Sequence, residues 1–226
     1  MAAIDLRGPV GRLEGLLEEV ANPRFTALVC HPHPRMGGTM HTHAVHRIAK
    51  AVRLAGGVTL RFNYRGVGLS QGQYDRGLGE ADDAEAALAF LAGAHPDLPR
   101  LCCGFSFGAF AALAAGPRDS GVRGLLLAGL ALTPVPDLQS DLGSLRTLPL
   151  PVAVVQAGQD QFGSPAQVRA ALEGSSGPRR VREVRHATHL FTEALDDLQL
   201  EAEAAAGWLL DAHAAVPPRR KQRRSR

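Results

Sequence analysis

The chain is short of cysteine, of long apolar runs and of internal repetition, and each shortage removes a class of protein. Its three cysteines, Cys30, Cys102 and Cys103, all lie in stretches that read as buried strands. They offer no disulfide framework, and a reducing, cytoplasmic setting fits them best. No apolar run is long enough to span a bilayer. Met1-Ala2-Ala3-Ile4-Asp5 has neither the basic segment nor the apolar stretch expected of a secretory signal. With 226 residues the chain can bury one substantial core, and no repeat or composition shift forces a second domain. A strong charge of one sign is also missing. The formal net charge is +3, but six of the 25 Lys and Arg fall in residues 217–226; without them, 19 basic residues face 22 acidic ones. The body is therefore no basic nucleic-acid binder. The expected organisation is one globular domain over 1–216 and a disordered basic tail over 217–226, which could touch nucleic acid or an anionic surface.

What is present is alternation. Residues 4–7 and 12–18 flank Gly8-Pro9-Val10-Gly11 as a hairpin of two short strands. Apolar runs at 25–30, 101–104, 122–130 and 152–157 are too short for helices and suit buried strands, and further strands are read at 58–63 and 181–185. Between them, helical periodicity or Ala-rich composition marks 42–55, 80–94, 109–115 and 165–173, and 192–215 closes the chain as a long helix. Residues 131–151 read as irregular and too short for a lid domain. Strands alternating with helices predict an α/β fold, a mainly parallel sheet with helices on both faces. In such sheets reactive groups collect at the carboxyl ends of the strands.

One strand end carries Gly104-Phe105-Ser106-Phe107-Gly108, a G-x-S-x-G pattern between an apolar run and an Ala-rich helix. That context predicts a nucleophile elbow, a turn tight enough to strain the serine backbone and expose its hydroxyl. A serine hydroxyl needs a base, and the base needs a carboxylate, in the chain order serine, acid, histidine. Asp160 follows the strand 152–157 directly and is preferred as the acid over Asp137 and Asp141, which no strand positions. Its alternative role, capping the next helix, is already filled by Ser164-Pro165. After the last strand come His186 and His189. His189 is the better base, since three loop residues let it reach back over the sheet edge, while His186 and the helical His213 read as peripheral.

An oxyanion hole requires two backbone N–H groups. Phe107, next after the serine, supplies one; the loop His31-Pro32-His33-Pro34-Arg35-Met36-Gly37-Gly38 supplies the other. Its prolines have no N–H, so His33 is the natural donor, with Arg35 and Met36 as fallbacks. Met36, Phe105 and Phe191 are candidate apolar walls for a substrate, and Phe105 reads equally well as core. His31, His33, His41, His43 and His46 crowd one stretch, but no Cys or acid nearby completes a hydrolytic zinc set. No metal or cofactor is expected.

Taken together, the stretch 31–40, the stretch Leu60-Arg61-Phe62-Asn63-Tyr64-Arg65-Gly66-Val67-Gly68 and the elbow make the chain resemble a small, lid-less serine α/β-hydrolase. The resemblance is to the dienelactone-hydrolase-like proteins, and more narrowly to a bacterial group of predicted α/β-superfamily hydrolases. It runs from the first hairpin to the last helix. The departures are His186, where that group usually has Gly, and a serine where dienelactone hydrolases proper use cysteine, so their substrate does not carry over. The resemblance implies hydrolysis of a small-molecule carboxylic ester, thioester or related acyl bond through an acyl-enzyme on Ser106, His189 and Asp160. Acyl transfer or short-peptide hydrolysis on the same residues remains an alternative, as does a non-catalytic binding protein on this scaffold. A homo-oligomer is left open.

Overall fold

The computed structural model of the chain describes residues 1–133, 138 and 142–214, with no side chains for 213 and 214. The expected basic tail, the competing acids Asp137 and Asp141 and the side chain of His213 lie outside the described residues. Eight strands form one sheet: β1 (Ala2–Gly8), β2 (Gly11–Glu18), β3 (Phe25–Cys30), β4 (Gly57–Phe62), β5 (Arg100–Phe105), β6 (Val122–Ala128), β7 (Val152–Ala157) and β8 (Arg179–Val184). Their spatial order is β1-β2-β4-β3-β5-β6-β7-β8. β1 and β2 pair antiparallel, and β2 runs antiparallel to β4; every other pairing is parallel. The helices are α1 (His43–Leu54), α2 (Leu78–Ala94), α3 (Phe107–Ala115), α4 (Ser144–Thr147), α5 (Pro165–Leu172) and α6 (Leu195–Ala214).

β3, β4, β5 and β7 are buried at every residue, which is why apolar residues predominate in them, and buried Arg61 and Gln156 find polar partners inside the fold. Successive side chains still alternate between two cores. Leu28, Leu60, Cys102, Leu125 and Val154 pack with Leu88 and Leu91 of α2 and Leu113 of α3. Val29, Leu101, Leu126 and Val155 pack with Val45, Ile48 and Val52 of α1 and Leu198 and Leu209 of α6. Edge strand β8 carries Arg179, Arg180, Arg182 and Glu183; charges on an edge discourage pairing with another chain.

The structure departs from the sequence reading at several element ends and in one connecting stretch. α3 begins at Phe107 rather than 109, so the helix starts directly after the serine. α6 begins at Leu195 rather than 192, because Phe191 has a left-handed backbone (φ 56) and the chain turns there before it can become helical. The stretch 131–151 is not wholly irregular. It holds α4, which Arg179 pins by donating to the carbonyls of Leu145 (2.6 Å), Leu148 (2.6 Å) and Leu150 (2.7 Å). There is no cap domain among the described residues.

Candidate active site

β5 delivers the chain to Ser106 with φ 54 and ψ −117, a conformation that side chains other than glycine rarely adopt. Such a residue costs on the order of 1–3 kcal/mol. Both glycines of the pattern are forced by close approach. A Cβ on Gly104 would sit 1.9 Å from the carbonyl oxygen of Gly108, and a Cβ on Gly108 would sit 2.3 Å from that of Cys30. The second contact lets the start of α3 lie against the end of β3. It is how the serine comes to stand beside the loop that leaves β3.

Ser106 Oγ lies 2.8 Å from Nε2 of His189. On its other side the His189 ring presents Nδ1 to the Asp160 carboxylate, at 3.0 Å from Oδ1 and 2.9 Å from Oδ2. This geometry fits a ring that donates from Nδ1 to the carboxylate and accepts the serine proton at Nε2. The Asp160 and His189 loops meet because Gly158 has no side chain: a Cβ there would lie 2.2 Å from the Arg185 carbonyl oxygen. The amide of Gln159 then donates to Ala187 O at 2.9 Å. The His189 ring is held between Phe105 (5.7 Å between centroids) and Phe162 (4.7 Å, edge-on). It rests on Gly129, whose missing Cβ would lie 3.3 Å from His189 Cε1. His186 is exposed. Ser164, not Asp160, caps α5, in a capping box with Gln167.

The loop after β3 is fixed from both ends. His31 is fully buried; its Nδ1–H donates to Pro32 O (2.7 Å) and its Nε2 accepts the Tyr64 N–H (3.2 Å). Burial pushes its pKa down from 6.5 to about 3, so the ring is a neutral structural bridge. Downstream, Met40 N–H donates to Asn63 Oδ1 (2.9 Å) and Met40 O accepts from Arg61 (2.8 Å). Arg61 is itself buried against Glu18, 3.1 Å away. Gly38 folds back so closely that a Cβ would meet Pro32 O at 2.2 Å. The fallback amides are spoken for: Arg35 N–H donates to His33 Nδ1 (3.2 Å) and Met36 N–H to His33 O (3.0 Å). The rings of His33 and Phe107 meet at a tilt of 57°, 5.0 Å between centroids.

Ser106, His189, His33, Phe107, Phe105 and Met36 all line one open cavity of about 440 Å³. Phe105 is both wall and core, having no exposed surface. Phe191 is a correction: it is wholly buried, packs edge-on to Phe105 at 6.0 Å, and does not line the cavity. Its place is taken by Leu190, Phe162 and Ala131. The five clustered histidines separate, His31 into the core and His43 onto the cavity rim. Among the described residues no group of three or more His, Cys, Asp or Glu converges on a metal position.

Residues 22–146 match the family described as serine aminopeptidase, S33. Over 213 residues the chain is 32% identical to an uncharacterized protein of Rickettsia prowazekii (strain Madrid E), covering 87% of this chain and 88% of that one. Among solved structures, an α/β serine hydrolase homologue from Coxiella burnetii superposes with a TM-score of 0.81 at 32% identity, over 90% of this chain and 96% of that one. A serine hydrolase without lid from Xanthomonas campestris gives 0.76 at 30% identity, over 96% of each chain.

Proposed function

This chain belongs to the α/β serine hydrolases of the family described as serine aminopeptidase, S33, and from that premise we propose that it hydrolyses an uncharged carboxylic ester or thioester through an acyl-enzyme on Ser106. One observation carries the reading: the run of short contacts from Ser106 Oγ through His189 to Asp160, opening into the cavity. His189 Nε2 takes the Ser106 proton as Oγ attacks the carbonyl carbon, and the carbonyl oxygen becomes an oxyanion facing the amides of Phe107 and His33. Collapse of the tetrahedral species breaks the bond to the leaving alcohol or thiol, which receives the proton from His189. Water then repeats the sequence, giving its proton to His189 and its oxygen to the acyl carbon, and Ser106 is released. Asp160 keeps the ring in its Nδ1–H tautomer and offsets the charge it acquires. Three free, buried cysteines suit the cytoplasmic setting that goes with this reading; among the described residues no helix is long and apolar enough to cross a membrane.

The cavity supports an uncharged acyl group over an aminoacyl one. An aminopeptide substrate presents an α-ammonium, which requires a carboxylate or several acceptors when it leaves water. The described lining residues include no Asp, Glu, Lys or Arg. Butyryl and alanyl esters of the same p-nitrophenol test this, because only the ammonium differs strongly. The expected result is a kcat/KM higher for the butyryl ester by about 100-fold or more, the scale of desolvating an unpaired ammonium. Preference for the alanyl ester would overturn the assignment in favour of peptide-type substrates.

A further inference from the structure

Asp160 does not hold its position alone. Gln156, four residues earlier in β7, has no exposed surface, and its side-chain amide meets four partners. Its Oε1 accepts the Leu130 N–H at 2.9 Å. Its Nε2 donates to Asp160 Oδ2 at 3.0 Å and to Gly163 O at 2.7 Å, with Leu130 O further off at 3.3 Å. The amide can face only one way: a flip would set an oxygen against a carboxylate and a carbonyl, and leave the Leu130 N–H without its acceptor. The remaining donor to Asp160 is the Phe162 amide, 3.0 Å from Oδ1. Each carboxylate oxygen thus has its own donor, Gln156 on Oδ2 and Phe162 on Oδ1, and His189 Nδ1 lies within reach of both.

Gln156 reaches the histidine by a second route. Leu130 follows Gly129, the residue whose bare Cα makes room for the His189 ring. In the same stretch Ala128 O accepts the Ser106 N–H at 2.9 Å. One buried amide therefore ties the end of β6, under the histidine and beside the serine, to the turn that carries the acid.

We infer that Gln156 is a positioning residue for the Ser106–His189–Asp160 relay, setting the orientation of the Asp160 carboxylate and, through it, the proton affinity of the histidine. The inference rests on the hydrolase reading above. Removing the Gln156 N–H takes a donor from the carboxylate, and the less stabilised carboxylate holds the imidazolium more strongly. In Gln156→Met and Gln156→Leu, which both lack the donor, the acid limb of the kcat/KM profile for p-nitrophenyl butyrate should therefore move to higher pH. The expected shift is about half a unit or more, with kcat reduced about 10-fold or more and KM little changed.

A loss of folded protein that is the same at every pH leaves the midpoint of a normalised profile unchanged, and circular dichroism over the same pH range corrects the rates for any folded fraction that falls with pH. A profile that superimposes on the wild type in both variants, with only thermal stability lowered, would make Gln156 a purely structural clamp and overturn this inference alone. A folded wild type that hydrolyses no ester would overturn the hydrolase reading, and this inference with it.

Discussion

At the level of single residues, the site is built from side chains held where unstrained or solvated groups would not stay. Ser106 is one. Its backbone (φ 54) is unfavourable for any residue with a Cβ, so Ser106→Gly should be more stable than Ser106→Ala by about 1 kcal/mol, although both lack the hydroxyl. Chemical denaturation of the two variants measures this, and equal stabilities would mean that the elbow stores no strain. His31 is another. Its pKa is lowered from 6.5 to about 3 by burial, so it adds nothing to the pH dependence above 6.5. Below that, the unfolded chain takes up a proton that the native ring refuses, and stability falls until the pH reaches about 3. The loss is at most about 5 kcal/mol. At pH 5, nitrogen NMR should find the His31 ring neutral with its proton on Nδ1; titration of that signal with ordinary histidines would contradict the bridge. Ser106, Asp160 and His189 were legible in the sequence because each lies in the turn or loop that follows a strand, in the required chain order. Gln156 and Gly129 were not. Their value comes from partners across the fold, and a glutamine in an apolar strand or a glycine after one carries no local signal.

Among the elements, β4 has the least obvious task. Arg61 at its end and Asn63 just beyond grip the two polar groups of Met40 and so fix the far end of the loop that leaves β3. In the sequence the stretch 60–68 read as the end of a strand and as part of a resemblance; its physical role is to hold a loop that lies some twenty residues earlier. Asn63→Ala orphans the buried Met40 N–H, at a cost of about 1–3 kcal/mol. It should also lower kcat more than it raises KM, since the loop carries the His33 amide. Thermal unfolding together with ester kinetics checks both parts, and full kcat in a destabilised variant would detach this loop from the chemistry. Strand positions were the most legible feature: the runs at Phe25–Cys30 and Val152–Ala157 coincide with β3 and β7. Helix starts were less so. α3 begins at the residue after the serine, within the pattern that marks the elbow, and α6 waits for the turn at Phe191 to finish. The short α4 depends on Arg179, a residue of another element, and no periodicity in 131–151 could announce it.

For the molecule as a whole, one mainly parallel sheet brings the ends of β3, β5, β7 and β8 to a common edge. Four loops meet there that are scattered through the sequence. That gathering was predictable from strand–helix alternation; the sheet order, with β2 set antiparallel against β4, was not, because nothing in a strand's own residues names its neighbour. The open cavity of about 440 Å³ follows from the absence of a cap domain among the described residues. Every catalytic step proposed for the molecule requires that this architecture activate Ser106. A fluorophosphonate probe with peptide mapping tests it on the wild type, Ser106→Ala and His189→Ala. The prediction is one adduct, on Ser106 of the wild type, and none on either variant while both unfold at close to the wild-type temperature. A folded wild type that takes no probe, or labelling that persists in His189→Ala at the wild-type rate, would contradict it.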